Sequence, residues 1–141
     1  MIEPASMDRA SLQSLLDSVV APWIRELGLR VTQVQTDEVH LSLPITAHLV
    51  HGGGVVCGQT LMSAADTAMV LAVASQLGGF KPMTTVQLQT SFLRPISGTD
   101  TEARVVARVL RLGKNLVFGE IEVQDAFGRL AAHSTTTYAL L

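Results

Sequence analysis

Cysteine is almost absent from this chain: Cys57 is the single one among 141 residues. One thiol excludes an internal disulfide and cannot supply a structural zinc set, which needs several Cys or His ligands. Charge is scarce as well, at 16% of residues, and the 10 Lys and Arg nearly balance the 12 Asp and Glu, leaving a net charge of −2. Aromatics reach only 4%. With a pI near 6.0, no basic run and no basic face interleaved with aromatics, the chain has no electrostatic footprint for nucleic acid. The N-terminal stretch Met1–Leu16, MIEPASMDRASLQSLL, carries early acids and lacks the basic start and apolar run of a secretory leader. A soluble cytoplasmic protein is therefore expected. Internal repeats and low-complexity segments are missing too.

What is there is apolar. Hydrophobic residues make up 48% and mean hydropathy is +0.36. The length suits a single domain, 1–141, with a core of its own. So much apolar surface on so short a chain leads us to expect that another subunit covers part of it.

Hydrophobic periodicity divides the chain. An N-terminal helical segment is expected within 1–28: Leu12, Leu15, Leu16, Val19, Val20, Trp23, Ile24 and Leu27 recur at three and four over residues 7–27. Pro22 should kink or restart that helix, and Gly28 ends it. Strands are expected at about 29–36 and 38–44, the second alternating Val39, Leu41 and Leu43 against His40 and Ser42. A glycine loop, His48 to Gly54, follows. The next run, Gly58 to Leu77, is apolar on every face, which marks a buried helix. Its Gln59, Ser63, Asp66, Thr67, Ser75 and Gln76, without flanking charges, argue against a membrane span.

Beyond Gly78-Gly79 the period falls to two. Val86, Leu88, Thr90 and Phe92 are expected to face one way and Thr85, Gln87, Gln89 and Ser91 the other. Further strands cover 101–111, with Ala103, Val105, Ala107 and Val109 inward, then 116–124, then 130–141. Turns at Ser97-Gly98, Gly113-Lys114-Asn115 and Asp125–Gly128 are read as joining these four strands in antiparallel hairpins. One helix apolar on all sides, set in an antiparallel meander, needs a sheet curled around it. The expected class is α+β: a hotdog fold, a curved antiparallel sheet wrapped around one long central helix, with an extra N-terminal helix.

Asp66 sits in the middle of that helix, with no polar stripe in the sequence for it to belong to. An unpaired buried carboxylate is costly, so it finds partners or waits protonated. In an apolar cleft near a helix start it is a functional candidate.

Cys57-Gly58-Gln59-Thr60-Leu61-Met62-Ser63-Ala64-Ala65-Asp66-Thr67-Ala68 resembles the start of the central helix in hotdog-fold acyl-CoA thioesterases, in particular the phenylacetate-pathway (PaaI-like) type. Val86–Pro95 and the turn Arg111–Asn115 resemble the same family's strand and hairpin, and the resemblance covers about residues 38–141. The family's His-Gly-Gly stands nine residues before its acid. Here His51-Gly52-Gly53 lies fifteen before Asp66, and Cys57-Gly58-Gln59 holds the nine-before place. Either segment could supply the carbonyl-polarising N–H. The unbroken helix register from Gly58 to Asp66 favours Gly58.

The resemblance implies hydrolysis of an acyl-CoA thioester, with no metal or organic cofactor. The chemistry agrees: thioester hydrolysis needs a group that activates water or attacks the carbonyl, and donors where negative charge develops. A helix N-terminus offers free N–H groups and a positive dipole end, and glycine lets a substrate oxygen approach closely. Gly58 and Gln59 are thus the expected polarising pair, and Asp66 the base or nucleophile. Eight helical residues span about 12 Å, so one carbonyl cannot reach both ends within one chain. The site is then expected to be shared across a homodimer, which could pair further into a tetramer.

Around it, His51, Gly53 and Gly54 of the glycine loop and Thr67 beside the acid are candidate substrate contacts. Arg94, Arg111, Lys114 and Asn115 lie at strand ends and turns where CoA phosphates could be held; Arg129 is placed similarly. Cys57 has no adjacent base and reads as a small packed residue. Two other functions fit less well: a hydratase or dehydratase of acyl thioesters, whose Pro-Gly approach to the helix is missing, and a non-catalytic acyl-CoA binding module, which would not need Asp66. The acyl group itself is not written in the sequence.

Overall fold

The computed structural model describes residues 7–141; residues 1–6, the first part of the expected helical segment and of the stretch read for a leader, lie outside the described residues. Asp8 caps the first helix, α1 (Arg9–Val19), by accepting the Ser11 N–H at 2.8 Å, satisfying a donor that the helix start leaves free. Leu12 and Leu16 bury one face. Gln13 pins that face to the sheet edge, accepting the Val31 N–H at 2.8 Å and donating to the Leu29 carbonyl at 3.3 Å. The chain turns extended at Val20 and restarts at Pro22 as the short α2 (Pro22–Arg25). The restart changes the helical phase, and Trp23, expected on the apolar stripe, is left exposed.

Six strands form one antiparallel sheet: β1 (Arg30–Val34), β2 (Glu38–Pro44), β3 (Met83–Phe92), β4 (Glu102–Leu112), β5 (Leu116–Gln124) and β6 (Leu130–Leu140). Their spatial order is β1-β2-β4-β5-β6-β3. The expected hairpins at Gly113–Asn115 and Asp125–Gly128 join β4 to β5 and β5 to β6. The expected hairpin at Ser97-Gly98 is corrected: β3 does not pair with β4 but lies at the far edge beside β6. The 93–101 connection crosses back over the end of the fold, anchored by buried Ile96, whose carbonyl accepts the Val56 N–H at 2.9 Å.

The central helix, α3 (Gly58–Leu77), is covered by this curved sheet, the hotdog arrangement. Val39, Leu41 and Leu43, then Ala103, Val105, Ala107 and Val109, then Val117, Ile121 and Val123 bury against it as their alternation required. Gly119 sits among them because Met69 of α3 fills its place: an added Cβ would stand 2.1 Å from the Met69 Cε. The helix is long and apolar enough to cross a membrane, yet 67% of its most apolar window is buried inside the fold. Gly78 closes it in the left-handed conformation, φ 77°. On the outer face, Arg108 bonds Glu38 of β2 at 3.1 Å and also Glu122 of β5, and Val106 is buried on this same face.

One strand departs from its expected phase. In β3 the register shifts between Thr85 and Gln87. The extra residue of this bulge leaves Val86 59% exposed and turns the Thr85 hydroxyl inward to α3.

Candidate active site

The helix start and the carboxylate occupy two stations along α3. Helix α3 begins at Gly58 with no side-chain cap; the Cys57 N–H is spent on the Leu49 carbonyl and those of Thr60 and Leu61 on the Cys57 carbonyl. The N–H groups of Gly58 and Gln59 carry no hydrogen bond among the described residues. They point out of the positive end of a 20-residue helix. Gly58 is also where a side chain would be felt: an added Cβ would come within 3.2 Å of the Phe92 ring, the half-exposed aromatic at the end of β3.

Asp66 lies two turns further on. It shares with Gln59, Met62, Ser63 and Val70 a single stripe that the sheet leaves partly open, while all other positions from Thr60 to Ser75 are buried. This open stripe corrects the expectation of a helix covered on every face: mixed Gln, Met, Ser, Asp and Val make it invisible by composition.

The carboxylate is not unpaired. Thr85 donates to its Oδ1 at 2.9 Å, and Tyr138 donates to the same Oδ1 and to the Asp66 carbonyl, the latter at 2.8 Å. Oδ2 has no hydrogen bond among the described residues. Tyr138 is 1% exposed. Burial first, and the adjoining Asp66 carboxylate second, push its phenol far above its ordinary value, so it stays a donor.

Both donors escaped the sequence reading. Thr85 was assigned to the outward face because the bulge was not foreseen. Tyr138 lies 72 residues from Asp66; its one available signal is that it is the chain's single tyrosine, inward on a strand, where a buried phenol needs a partner.

The other candidates divide. His51 folds back on its own loop, where its Nδ1 accepts the Gly53 N–H at 2.8 Å, and Gly54, at φ 82°, donates to the His51 carbonyl. Thr67 is buried and donates to the Ser63 carbonyl at 2.8 Å, one turn back along α3. Arg94 is exposed where β3 ends, near the helix start. Arg111, Lys114 and Asn115 are exposed at the β4–β5 turn, which lies at the Asp66 end, since Leu112 pairs with Val117, which pairs with Tyr138. The Asn115 carbonyl accepts the Leu140 N–H at 2.8 Å. Arg129 is committed elsewhere, to Asp125 at 2.8 Å. Cys57 Sγ contacts the Thr60 hydroxyl at 3.0 Å. No group of three or more His, Cys, Asp or Glu side chains is gathered for a metal ion among the described residues.

Comparison with known proteins adds to this geometry. A sequence model of the thioesterase superfamily matches residues 53–132. A conserved protein of Pseudomonas aeruginosa of known structure is 31% identical, with a TM-score of 0.79 over 89% of this chain and 98% of its own. A protein of Thermoplasma volcanium, provisionally named an esterase, is 29% identical over 84% of this chain and 86% of its own length. The E. coli PaaI protein from the phenylacetic acid degradation operon shares the fold at a TM-score of 0.81, with 21% identity over 94% of each chain.

Proposed function

The chain belongs to the thioesterase superfamily, and on that premise we propose that it hydrolyses acyl-CoA thioesters with Asp66 as general base. The observation that carries the reading is Asp66 itself: the lone charge of α3, placed on its partly open stripe with one oxygen tied by two hydroxyls and the other without a hydrogen bond among the described residues. In the proposed reaction, Oδ2 takes a proton from water as the water oxygen bonds to the thioester carbonyl carbon. The carbonyl oxygen becomes an oxyanion, held by the Gly58 and Gln59 N–H groups. Collapse breaks the C–S bond; the CoA thiolate leaves and takes the proton back from Asp66. The products are the free acid and CoA.

These groups must come from two copies of the chain. Gly58 and Asp66 are separated by about 12 Å of helix, too far for one carbonyl to meet both within hydrogen-bond reach. Two helices antiparallel across a two-fold axis bring the start of one against Asp66 of the other. Two features support this: the open stripe with Met62 and Val70 along it, and β3, which stands at a free sheet edge with Val86 and Phe92 exposed. Long exposed edge strands invite pairing with another chain. The same two-fold would bring Arg94 of one copy towards Arg111 and Lys114 of the other, a setting suited to CoA phosphates.

A panel of aryl and aliphatic acyl-CoAs with a thiol-reactive dye tests the reaction. Free CoA should appear with at least one member, and Asp66→Asn should stay folded while losing at least ~10²-fold in turnover, the scale of a general base. Silence across the panel, or near-normal turnover by a folded Asp66→Asn protein, would contradict the proposal.

A further inference from the structure

Tyr138 reaches the carboxylate from a different element than any residue used above. It lies on β6 directly across from Thr85 of β3, so two neighbouring strands deliver two hydroxyls to the same oxygen of Asp66. The β3 bulge between Thr85 and Gln87 is what makes this convergence possible, because an unbroken alternation would put Val86, not Thr85, on the inner face. The phenol has one proton, aimed at the Asp66 side chain and backbone carbonyl together. No Lys, Arg or His forms an ion pair with Asp66 among the described residues. The carboxylate therefore takes its orientation from two neutral donors, one on β3 and one on β6.

We propose that Tyr138 is a positioning residue for hydrolysis: with Thr85 it locks Oδ1 of Asp66, so that Oδ2 alone is presented to the attacking water. The inference rests on the reading of Asp66 as base. It has two consequences. The side chain cannot rotate to offer Oδ1, which matters because a small misplacement of a catalytic group costs much of its effect. And because both hydroxyls donate to Oδ1, the proton taken from water is received at Oδ2.

Tyr138→Phe keeps the ring and removes only the donor. The test is the split between kcat and KM at neutral pH, with whichever of benzoyl-CoA and hexanoyl-CoA the wild type hydrolyses faster. kcat should fall by roughly tenfold while KM stays within about twofold, because a carboxylate free to rotate loses its aim at the water and not its contacts with substrate. Thr85→Val should change kcat the same way.

Because Tyr138 is the only tyrosine in the chain, replacing all tyrosine with 3-fluorotyrosine alters this position alone. The fluorinated phenol keeps the donor and is nearly isosteric, so kcat should stay within about twofold of wild type. A Tyr138→Phe protein that matches wild type, or whose loss lies in KM with kcat unchanged, overturns the proposal, as does a fluorotyrosine protein that loses kcat as Tyr138→Phe does. Asp66→Asn separates the levels. If it is inactive while Tyr138→Phe keeps its kcat, only the positioning role falls; if it is fully active, the assignment of Asp66 falls first.

Discussion

Asp66 and Asp125 are both held by hydrogen bonds from the fold, and they differ in what is left over. Asp125 is saturated: its Oδ1 accepts the N–H groups of Phe127 and Arg129 at 2.9 and 3.0 Å, and its Oδ2 accepts from the Arg129 guanidinium at 2.8 Å. Burial pushes its carboxyl up, but the Arg129 and Phe127 N–H groups and the guanidinium together outweigh that and hold it below the ordinary 3.8. A carboxyl whose folded value is depressed stabilises the fold above its unfolded value and loses that contribution as the pH falls through the folded one. Asp125→Asn should therefore melt below wild type at neutral pH, with the gap closing as the pH drops under 3.8; a gap that is constant across pH would contradict this. Asp66 lacks such saturation, which is why it, and not Asp125, is the candidate for chemistry. Asp66 was legible in the sequence because a charge inside an apolar run stands out. Its partners were not: Tyr138 and Thr85 look like ordinary strand residues until pairing between β6 and β3 sets them opposite one another.

At the scale of elements, α3 was the easiest to read. Its bounds, Gly58–Leu77, follow from an apolar run ended by Gly78, and β2 and β5 follow from clean alternation against a covered core. Alternation states which face of a strand is buried, but not which strand lies beside it. That is why β3 was expected next to β4, when the chain crosses the fold to put it beside β6. Edge position also explains the misread phase, since an edge strand with a bulge buries little and its pattern is weak. The open stripe of α3 and the free edge of β3 lie together, and their apolar members ask for cover. Val70→Lys places a charge on that stripe, one turn beyond Asp66 and away from the helix start. It should shift the protein from dimer to monomer in sedimentation while its circular dichroism stays helical. A dimer unaffected by the charge would show that this face is not the interface.

For the whole molecule, the central claim is that neither copy holds a complete site. The chain's high hydrophobic share of 48% leads us to expect a covered surface, and under the proposed mechanism about 12 Å of helix between Gly58 and Asp66 calls for a second copy at each site. Two individually inactive variants test it directly: Asp66→Asn, and Gly58→Val, which blocks the N–H approach. The valine meets the Phe92 ring first, and Phe92 is 51% exposed, so the ring has room to swing aside and the helix start can survive. In a mixed dimer one site collects both lesions and the other has none. After free exchange of equal amounts, half the dimers are mixed with one intact site each, so thiol release should recover to about a quarter of wild type in a two-fold assembly. Mixed dimers confirmed by mass spectrometry, with activity no higher than that of either parent, would contradict the shared site and leave each chain to work alone.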